Sequence, residues 1–283
     1  MILTWVDNQG EFVLDDSNGI DVQEGVTGLD MPPVSTSWEP RATFDGAAVA
    51  NERFDPRQII LPIFFYDEVN ARDRIAVFAR RLLNAGRTGG ELRLTQFGRT
   101  RSLFEVRRTA GLEGLETPLS NWRRQIVELT AGDPWWRGPQ QSNPLNFNIE
   151  TPFDDPTVPF DDVNTPFDGG DTTPFFVDGD TSAYPQLFIT GPFTEVSITN
   201  TITGQSIQTD TAIAAGEVLI VDSRPTSRGP RFQGDDRPDW SLITAPSRLF
   251  ELQAGGNVLA VGASGDGVGS SVEVRWRPRF ATP

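Results

Sequence analysis

Residues 121–136 read NWRRQIVELTAGDPWW, an apolar strand that runs directly into a tryptophan-bearing turn. A second stretch of the same kind, SVEVRWRPRF, occupies residues 271–280. In the first stretch Val127, Leu129 and Ala131 alternate with Ile126, Glu128 and Thr130, so one face of the predicted strand is cleanly apolar and the other is mixed. Each stretch closes a series of short apolar segments separated by turn residues. The sequence therefore predicts two β-rich domains.

The length of 283 residues fits two domains of ordinary size with a linker between them. We expect a first β domain over residues 1–137, a linker over residues 138–183 and a second β domain over residues 184–283. After residue 184 the chain consists of short apolar segments separated by turn signals, and this spacing indicates an antiparallel β-sandwich.

Arg57–Tyr66 is the strongest predicted strand of the first domain, because both alternating sets of its side chains are mostly apolar. Such a strand is expected to be covered on both faces. Proline has no N–H, so Pro62 predicts that one edge of this strand is unpaired or bulged. Asn70–Ala85 has helical periodicity and is followed by Gly86 as a stop signal. The first domain is therefore predicted to be a β-sheet carrying one amphipathic helix.

The linker is acidic and repetitive. Residues 138–223 contain 13 acidic residues and neither arginine nor lysine, and Pro-Phe-Asp recurs at positions 152, 159 and 166. Proline at a period of seven excludes a coiled coil, so we expect an extended, polyproline-like ribbon. In such a ribbon each phenylalanine is free to enter a groove of a partner while the aspartate stays in water. Phe153, Phe160 and Phe167 are therefore candidate interface residues.

Two tryptophans of the second domain have different expected roles. Trp276 shares a strand face with Val272 and Val274, which favours a place in the core. Trp240 lies in the polar segment Arg237-Pro238-Asp239-Trp240 and is a candidate for an exposed interaction residue.

The composition excludes most enzyme mechanisms. The chain contains no cysteine, histidine or lysine. It therefore has no disulfide, no thiolate nucleophile, no histidine general base and no lysine for a Schiff base or a phosphate loop. The segment starting at Asp178 begins like an EF-hand loop, but Ala183 replaces its turn glycine and Ile189 its bidentate glutamate. We predict no catalytic residue, no cofactor-binding residue and no metal ligand, and we expect no cofactor.

Charge and hydropathy argue against two classes of binding partner, nucleic acids and membranes. The net charge is −15, so the dominant electrostatic field repels nucleic acid. No run approaches the roughly 18 apolar residues of a membrane span, and the first residues lack a basic secretory signal. We expect a soluble protein that is made in a cytoplasm and does not insert into membranes.

With these motifs in view, the chain resembles the distal tail proteins of siphoviruses, the phages with long non-contractile tails. The resemblance rests on the order of several short motifs, namely Gly28–Pro33, Phe44-Asp45-Gly46, the arginine-led strand Arg57–Phe65, the helix, Asp133-Pro134-Trp135-Trp136, Gly216–Asp222, Gly255-Gly256-Asn257 and Arg275–Arg279. No single motif is specific for this family, but the order in which the motifs occur along both domains is fairly specific.

The resemblance implies a fold and a function. The fold is mainly β, with an N-terminal β-sheet or split-barrel domain carrying one packed α-helix, then the acidic extended linker, and a C-terminal galectin-like antiparallel β-sandwich. The implied function is structural: a homohexameric ring at the tail tip that joins the tail tube protein to the tip proteins. DNA would pass through the channel of the ring without specific binding. The implied location is the virion tail tip, after assembly in the host cytoplasm.

Two other functions remain open from the residues alone. The predicted sandwich and its aromatic residues also fit a carbohydrate-binding module that attaches to a host-surface glycan. A glycosidase needs only two carboxylates, although no spacing in this sequence selects a pair.

Overall fold

The structure is a computed structural model that describes residues 1–43, 45–67, 71–86, 89–112, 121–147, 171–265 and 267–283. The chain forms two compact units. The first comprises Met1–Pro139 together with Arg279–Pro283, and the second comprises Gln140–Pro278. The end of the chain therefore belongs to the first unit.

The described residues are mostly in β-strands, with the helix α1 at Ala71–Asn84. In chain order the strands are β1 (Ile2–Asp7), β2 (Gly10–Val13), β3 (Ile20–Val22), β4 (Val34–Pro40), β5 (Ala47–Phe54), β6 (Arg57–Tyr66), β7 (Gly90–Gln96), β8 (Arg99–Ala110), β9 (Trp122–Ala131), β10 (Trp136–Arg137), β11 (Gln141–Leu145), β12 (Asp171–Val177), β13 (Gln186–Thr190), β14 (Glu195–Asn200), β15 (Gln205–Gln208), β16 (Val218–Asp222), β17 (Gly229–Phe232), β18 (Gly255–Ser264), β19 (Ser271–Trp276) and β20 (Arg279–Phe280). The predicted fold class, mainly β with one packed helix, is confirmed.

A large antiparallel sheet forms the first unit. Its strand order is β2-β1-β7-β8-β9-β6-β3, and the short strand β10 pairs with both β8 and β20. Strands β4 and β5 form a separate two-stranded sheet. The longest pairing is between β6 and β9, which are in register over all ten residues of β6.

The helix α1 covers one face of this sheet. The odd-numbered side chains of β6, from Ile59 to Phe65, are completely buried, and so is Phe78 of α1. The Phe65 and Phe78 rings lie 6.0 Å apart between centroids. Trp5 of β1 is also buried, and its indole N–H donates a hydrogen bond of 3.2 Å to the carbonyl oxygen of Arg81. The helix is thus held through both its apolar side and its backbone.

The predicted interruption at Pro62 is present on the β3 side of β6. Pairing with β3 ends at Val22–Ile63, and a single bridge resumes it at Thr27–Ile60. The Pro62 carbonyl accepts a hydrogen bond of 2.9 Å from the Gln23 N–H in between. The nitrogen and carbonyl of one strand residue point to the same edge, so the proline nitrogen, which has no hydrogen, faces this break in the ladder.

Two antiparallel sheets form the second unit. Their strand orders are β11-β19-β13-β16-β17 and β12-β18-β14-β15. The inward side chains of the two sheets form one apolar core, in which Ile189, Phe193 and Leu259 are almost fully buried. Trp276 is 5% exposed and belongs to this core, as the alternation of its strand predicts. The more specific likeness to galectins stays a prediction.

The predicted linker differs from the observed structure at both of its ends. Gln141–Leu145 and Asp171–Val177 are strands of the second unit, paired with β19 and β18 respectively. They are strands because their alternate side chains, including Leu145 and Val177, enter the apolar core. The ribbon predicted around the Pro-Phe-Asp repeats falls on residues 148–170, which lie outside the described residues, and it stays a prediction.

No helix in the described part of the chain is both long enough and apolar enough to cross a membrane.

Candidate functional site

Arg57, the first residue of β6, is completely buried and donates hydrogen bonds to five backbone carbonyls of the described residues. Its Nε donates to the Pro134 carbonyl at 2.7 Å, and its Nη2 donates to the Ala281 carbonyl at 3.0 Å. Its Nη1 lies at 2.9 Å from the carbonyls of Gly28 and Leu29 and also donates to that of Asp30. We call this arrangement the Arg57 centre.

The Arg57 guanidinium keeps its positive charge although it is buried. Burial lowers the pKa of Arg57 to about 10, while the nearby charges of Asp30 and Asp133 oppose the shift. The guanidinium therefore stays protonated at neutral pH and keeps all of its N–H donors. Its donors point at carbonyls of the protein itself, so the arrangement holds the backbone of these segments in place.

Only glycine fits beside this centre at position 28. Gly28 has a φ of 83°, and a Cβ placed on it would lie 1.8 Å from the Gln58 carbonyl oxygen. Trp136 supports the same loop from the other side, because its indole N–H donates a 2.8 Å hydrogen bond to the Leu29 carbonyl.

Asp133 is the acidic partner of this region. Its carboxylate accepts hydrogen bonds from Arg137 at 2.9 Å and from Arg279 at 3.0 Å. The Arg279 guanidinium also lies over the Trp135 ring, 5.5 Å from its centroid. Burial by itself raises the pKa of Asp133, but the two arginine charges outweigh it and hold that pKa below its usual value.

Beside this region a β-hairpin stands without cover. Its strands β4 and β5 pair Val34 with Phe54 and Trp38 with Val49, and the extra residue of a β-bulge lies on β5 between these pairs. Val34 and Trp38 are four residues apart on a regular strand, so both pairs lie on one face. Their side chains are 42–61% exposed. Thr36 and Glu52 form the cross-strand pair between them. We call this the apolar face of the hairpin.

A second exposed apolar surface lies on the sheet, on the side opposite to α1. On β6 it contains Ile60, which is 39% exposed, and the half-buried Phe64. On β9 it contains Trp122 and Ile126, which are 57% and 55% exposed. The Phe64 and Trp122 rings stack with centroids 5.8 Å apart. We call this the outer face of β6–β9. Strand β6 is thus apolar on both faces, as the sequence predicts, but the expected complete cover of both faces is wrong, since one chain leaves the outer face partly exposed.

A cavity of about 290 Å³ opens in the first unit beside the start of β1. Asp15, Asp16 and Asp21 are among its lining residues. The Tyr66 hydroxyl donates a hydrogen bond of 2.6 Å to Asp16, and this bond raises the pKa of Tyr66 to about 12. The phenol therefore stays protonated at neutral pH. Among the described residues no group of three acidic side chains is arranged to hold a metal ion.

Of the four interaction residues proposed from the sequence, the structure describes only Trp240. Phe153, Phe160 and Phe167 lie outside the described residues. Trp240 begins a short 3-10 turn, Trp240–Leu242, and is 52% exposed. One part of its ring lies against the Gly229 backbone, where a Cβ would approach to 3.2 Å.

Sequence reasoning missed the hairpin and the Arg57 centre as functional features. The hairpin had only a weak signal, a turn at Asp45-Gly46 between two polar segments. The Arg57 centre had a stronger signal in the sequence. Most of the segments that form it belong to the short motifs on which the family resemblance rests.

Comparisons with known proteins agree with that resemblance. Residues 178–280 match the family described as the siphovirus-type tail component, C-terminal domain. No curated protein matches the chain in sequence. The match to this family confirms the predicted resemblance and the predicted place in the virion tail.

Solved structures with the same fold span the whole chain. The crystal structure of the SPP1 Dit protein, described as a paradigm of the hub adsorption apparatus in phages that infect Gram-positive bacteria, aligns with a TM-score of 0.67 and 13% identity, covering 99% of this chain and 100% of that one. A chain of the phage P2 baseplate in its activated conformation with calcium aligns with a TM-score of 0.58 and 8% identity, covering both chains completely. The fold of both units is therefore that of tail hub proteins.

Replacing Arg57 should destabilise the first unit strongly. Arg57→Ala removes the arginine donor from five carbonyl oxygens, of which those of Pro134 and Ala281 are buried, and Arg57→Lys offers only three donors from a single point. We expect a loss of about 3 kcal/mol or more in the free energy of unfolding for the alanine variant, and a substantial loss for the lysine variant. Urea unfolding followed by tryptophan fluorescence measures both. Arg99→Ala, at an exposed position, is the control, and an equal loss in the control would contradict the role of the centre.

The Asp133 carboxylate should make stability depend on pH. Because its pKa in the folded state is lowered, its contribution is fully present above its ordinary pKa of 3.8 and is lost as the pH falls through the lower folded value. Asp133→Asn should therefore cost about 3 kcal/mol at pH 7, and the difference from the natural chain should shrink below pH 4. Unfolding measured from pH 7 to pH 2 tests this, with the exposed Asp45→Asn as control. A difference that stays constant over this range would rule out the electrostatic explanation.

Proposed function

We propose that this chain is a structural distal tail protein whose copies form a ring between the tail tube protein and the tip proteins. The fold of the whole chain and the family match of residues 178–280 support a tail hub component. The ring, its channel and its neighbours in the tail go beyond what the fold and the family match support, and they are the content of this proposal.

The exposed hairpin is the observation that most directly supports the formation of a ring. A two-stranded sheet is only marginally stable by itself, and here almost every residue of β4 and β5 is exposed. Its apolar face presents two cross-strand pairs of large side chains to solvent. Exposed apolar surface of this kind marks an interface. A closed ring in which every hairpin is covered by another chain removes that exposure without leaving open ends.

The composition suits a channel that DNA crosses. The net charge of −15 and the absence of lysine work against stable contacts with phosphates. In this proposal the first unit surrounds the channel, and the second unit is a galectin-like sandwich. The Pro-Phe-Asp ribbon, with Phe153, Phe160 and Phe167, reaches a neighbouring copy or a tip protein. The chain performs no chemistry.

A second candidate function rests on Trp240. A tryptophan that is 52% exposed on a β-sandwich is a suitable platform for stacking on a sugar ring. In this alternative the second unit binds a glycan of the host surface.

Solution mass and particle images test the ring. The natural chain should give a multimer, with six copies expected, and negative-stain images should contain discs with a central hole. Trp38→Ala should shift the assembly towards single copies, because it removes the largest side chain of the apolar face. Trp240→Ala removes a tryptophan of the other unit that is also more than half exposed, and it should leave the ring intact. A natural chain that stays monomeric at all concentrations would refute the proposal.

A glycan array tests the alternative. Binding by the natural chain that is lost in Trp240→Ala and kept in Trp38→Ala would support a carbohydrate-binding function. If the chain binds no glycan on the array and its rings are intact, only the structural function remains supported.

A further inference from the structure

The two exposed apolar surfaces of the first unit carry opposite charges at matching places. On the hairpin, Glu52 lies between the two apolar pairs of the apolar face. On the outer face of β6–β9, Arg124 lies on β9 between Trp122 and Ile126 and is in register with Phe64. Both charged side chains are exposed. The acidic Glu128 lies further along β9, beyond Ile126, so the aromatic end of the outer face is the end that attracts an acid.

The two surfaces also match in length. Strands β6 and β9 each have ten residues, whereas β4 and β5 have seven and eight. At roughly 3.3 Å per residue the hairpin extends about 25 Å and the outer face about 33 Å. The hairpin can therefore lie along the outer face without extending beyond it.

We propose that the apolar face of the hairpin of one copy covers the outer face of β6–β9 of the next copy, with Glu52 of the first paired with Arg124 of the second. This inference rests on the proposed ring and names the surfaces that close it. Val34, Trp38, Val49 and Phe54 supply the apolar contact from the hairpin. The charge pair fixes which end of the hairpin meets the aromatic end of the sheet.

A second copy is the occupant that the structure favours. Within one chain both surfaces stay exposed, so its own hairpin does not cover its own outer face. Each copy offers one hairpin and one outer face, which makes the contact heterologous. Such a contact, repeated around a closed ring, covers every hairpin and every outer face.

Charge reversal tests the pairing. Glu52→Arg and Arg124→Glu each place like charges together at every interface, and each should raise the concentration for half-assembly roughly tenfold or more. The combined variant Glu52→Arg/Arg124→Glu restores opposite charges and should assemble like the natural chain. Glu39→Arg, at an exposed position on the other face of the same hairpin, and Arg80→Glu, on the exposed side of α1, make the same changes of net charge and should assemble normally. Circular dichroism spectra identical to that of the natural chain verify folding.

Mixing the two single variants tests whether the contact joins different copies. The reversed, basic position 52 of the Glu52→Arg variant meets the reversed, acidic position 124 of the Arg124→Glu variant. At the next interface the natural Glu52 of the second variant meets the natural Arg124 of the first. A ring in which the two variants alternate is therefore complementary at every interface when the number of copies is even. Native mass spectrometry of an equimolar mixture should reveal mixed rings at concentrations where neither variant assembles alone.

The outcomes separate this inference from the proposed function. Rings of the natural chain with single variants that assemble normally would overturn the pairing and leave the ring proposal standing. Single variants that fail, together with a mixture and a combined variant that also fail, would overturn it as well, since the two charges would then act in separate contacts. A natural chain that forms no ring would refute the proposed function itself.

Discussion

The first unit depends on one buried charge. Arg57 is placed by β6 at the edge of the core, where its guanidinium donates to carbonyls from three separate parts of the chain: the loop at Gly28–Asp30, the turn at Pro134 and the terminal segment at Ala281. Carbonyl oxygens that leave water need donors, and a planar guanidinium supplies five N–H groups in a fixed geometry. The same interaction therefore satisfies the guanidinium and fixes three loops.

The position of the hairpin follows from this centre. The chain enters the hairpin after Asp30, whose carbonyl binds Arg57, and leaves it at Phe54, three residues before Arg57 itself. Phe54 at the end of β5 also packs edge-on against Trp135, with ring centroids 4.8 Å apart. Both ends of the hairpin are thus fixed to the Arg57 centre and Trp135, although all four large side chains of its apolar face stay at least 42% exposed. A segment that is already ordered loses less entropy when it binds a partner.

The sequence predicted those features that depend on local patterns. Arg57–Tyr66 was identified with its observed bounds because its strand periodicity is strong, and α1 lies within one residue of the predicted Asn70–Ala85 at each end. The Arg57 centre was not predictable as a geometry, since Arg57 and Ala281 are 224 positions apart and nothing local links them. The strands β11 and β12 were missed because polar and proline residues hide the alternation that their burial requires. Their partners in the sheets, not their own composition, determine that they are strands.

The apolar character of both faces of β6 carries information about assembly as well as folding. The face that includes Ile59 and Phe65 is covered by α1 and suffices to build a core. The face that includes Ile60 and Phe64 is only partly covered within one chain. Each apolar Å² that another surface covers contributes about 25 cal/mol before the costs of association are subtracted. In the proposed ring, a second copy supplies the cover that the sequence pattern of this strand predicts and that one chain provides only in part.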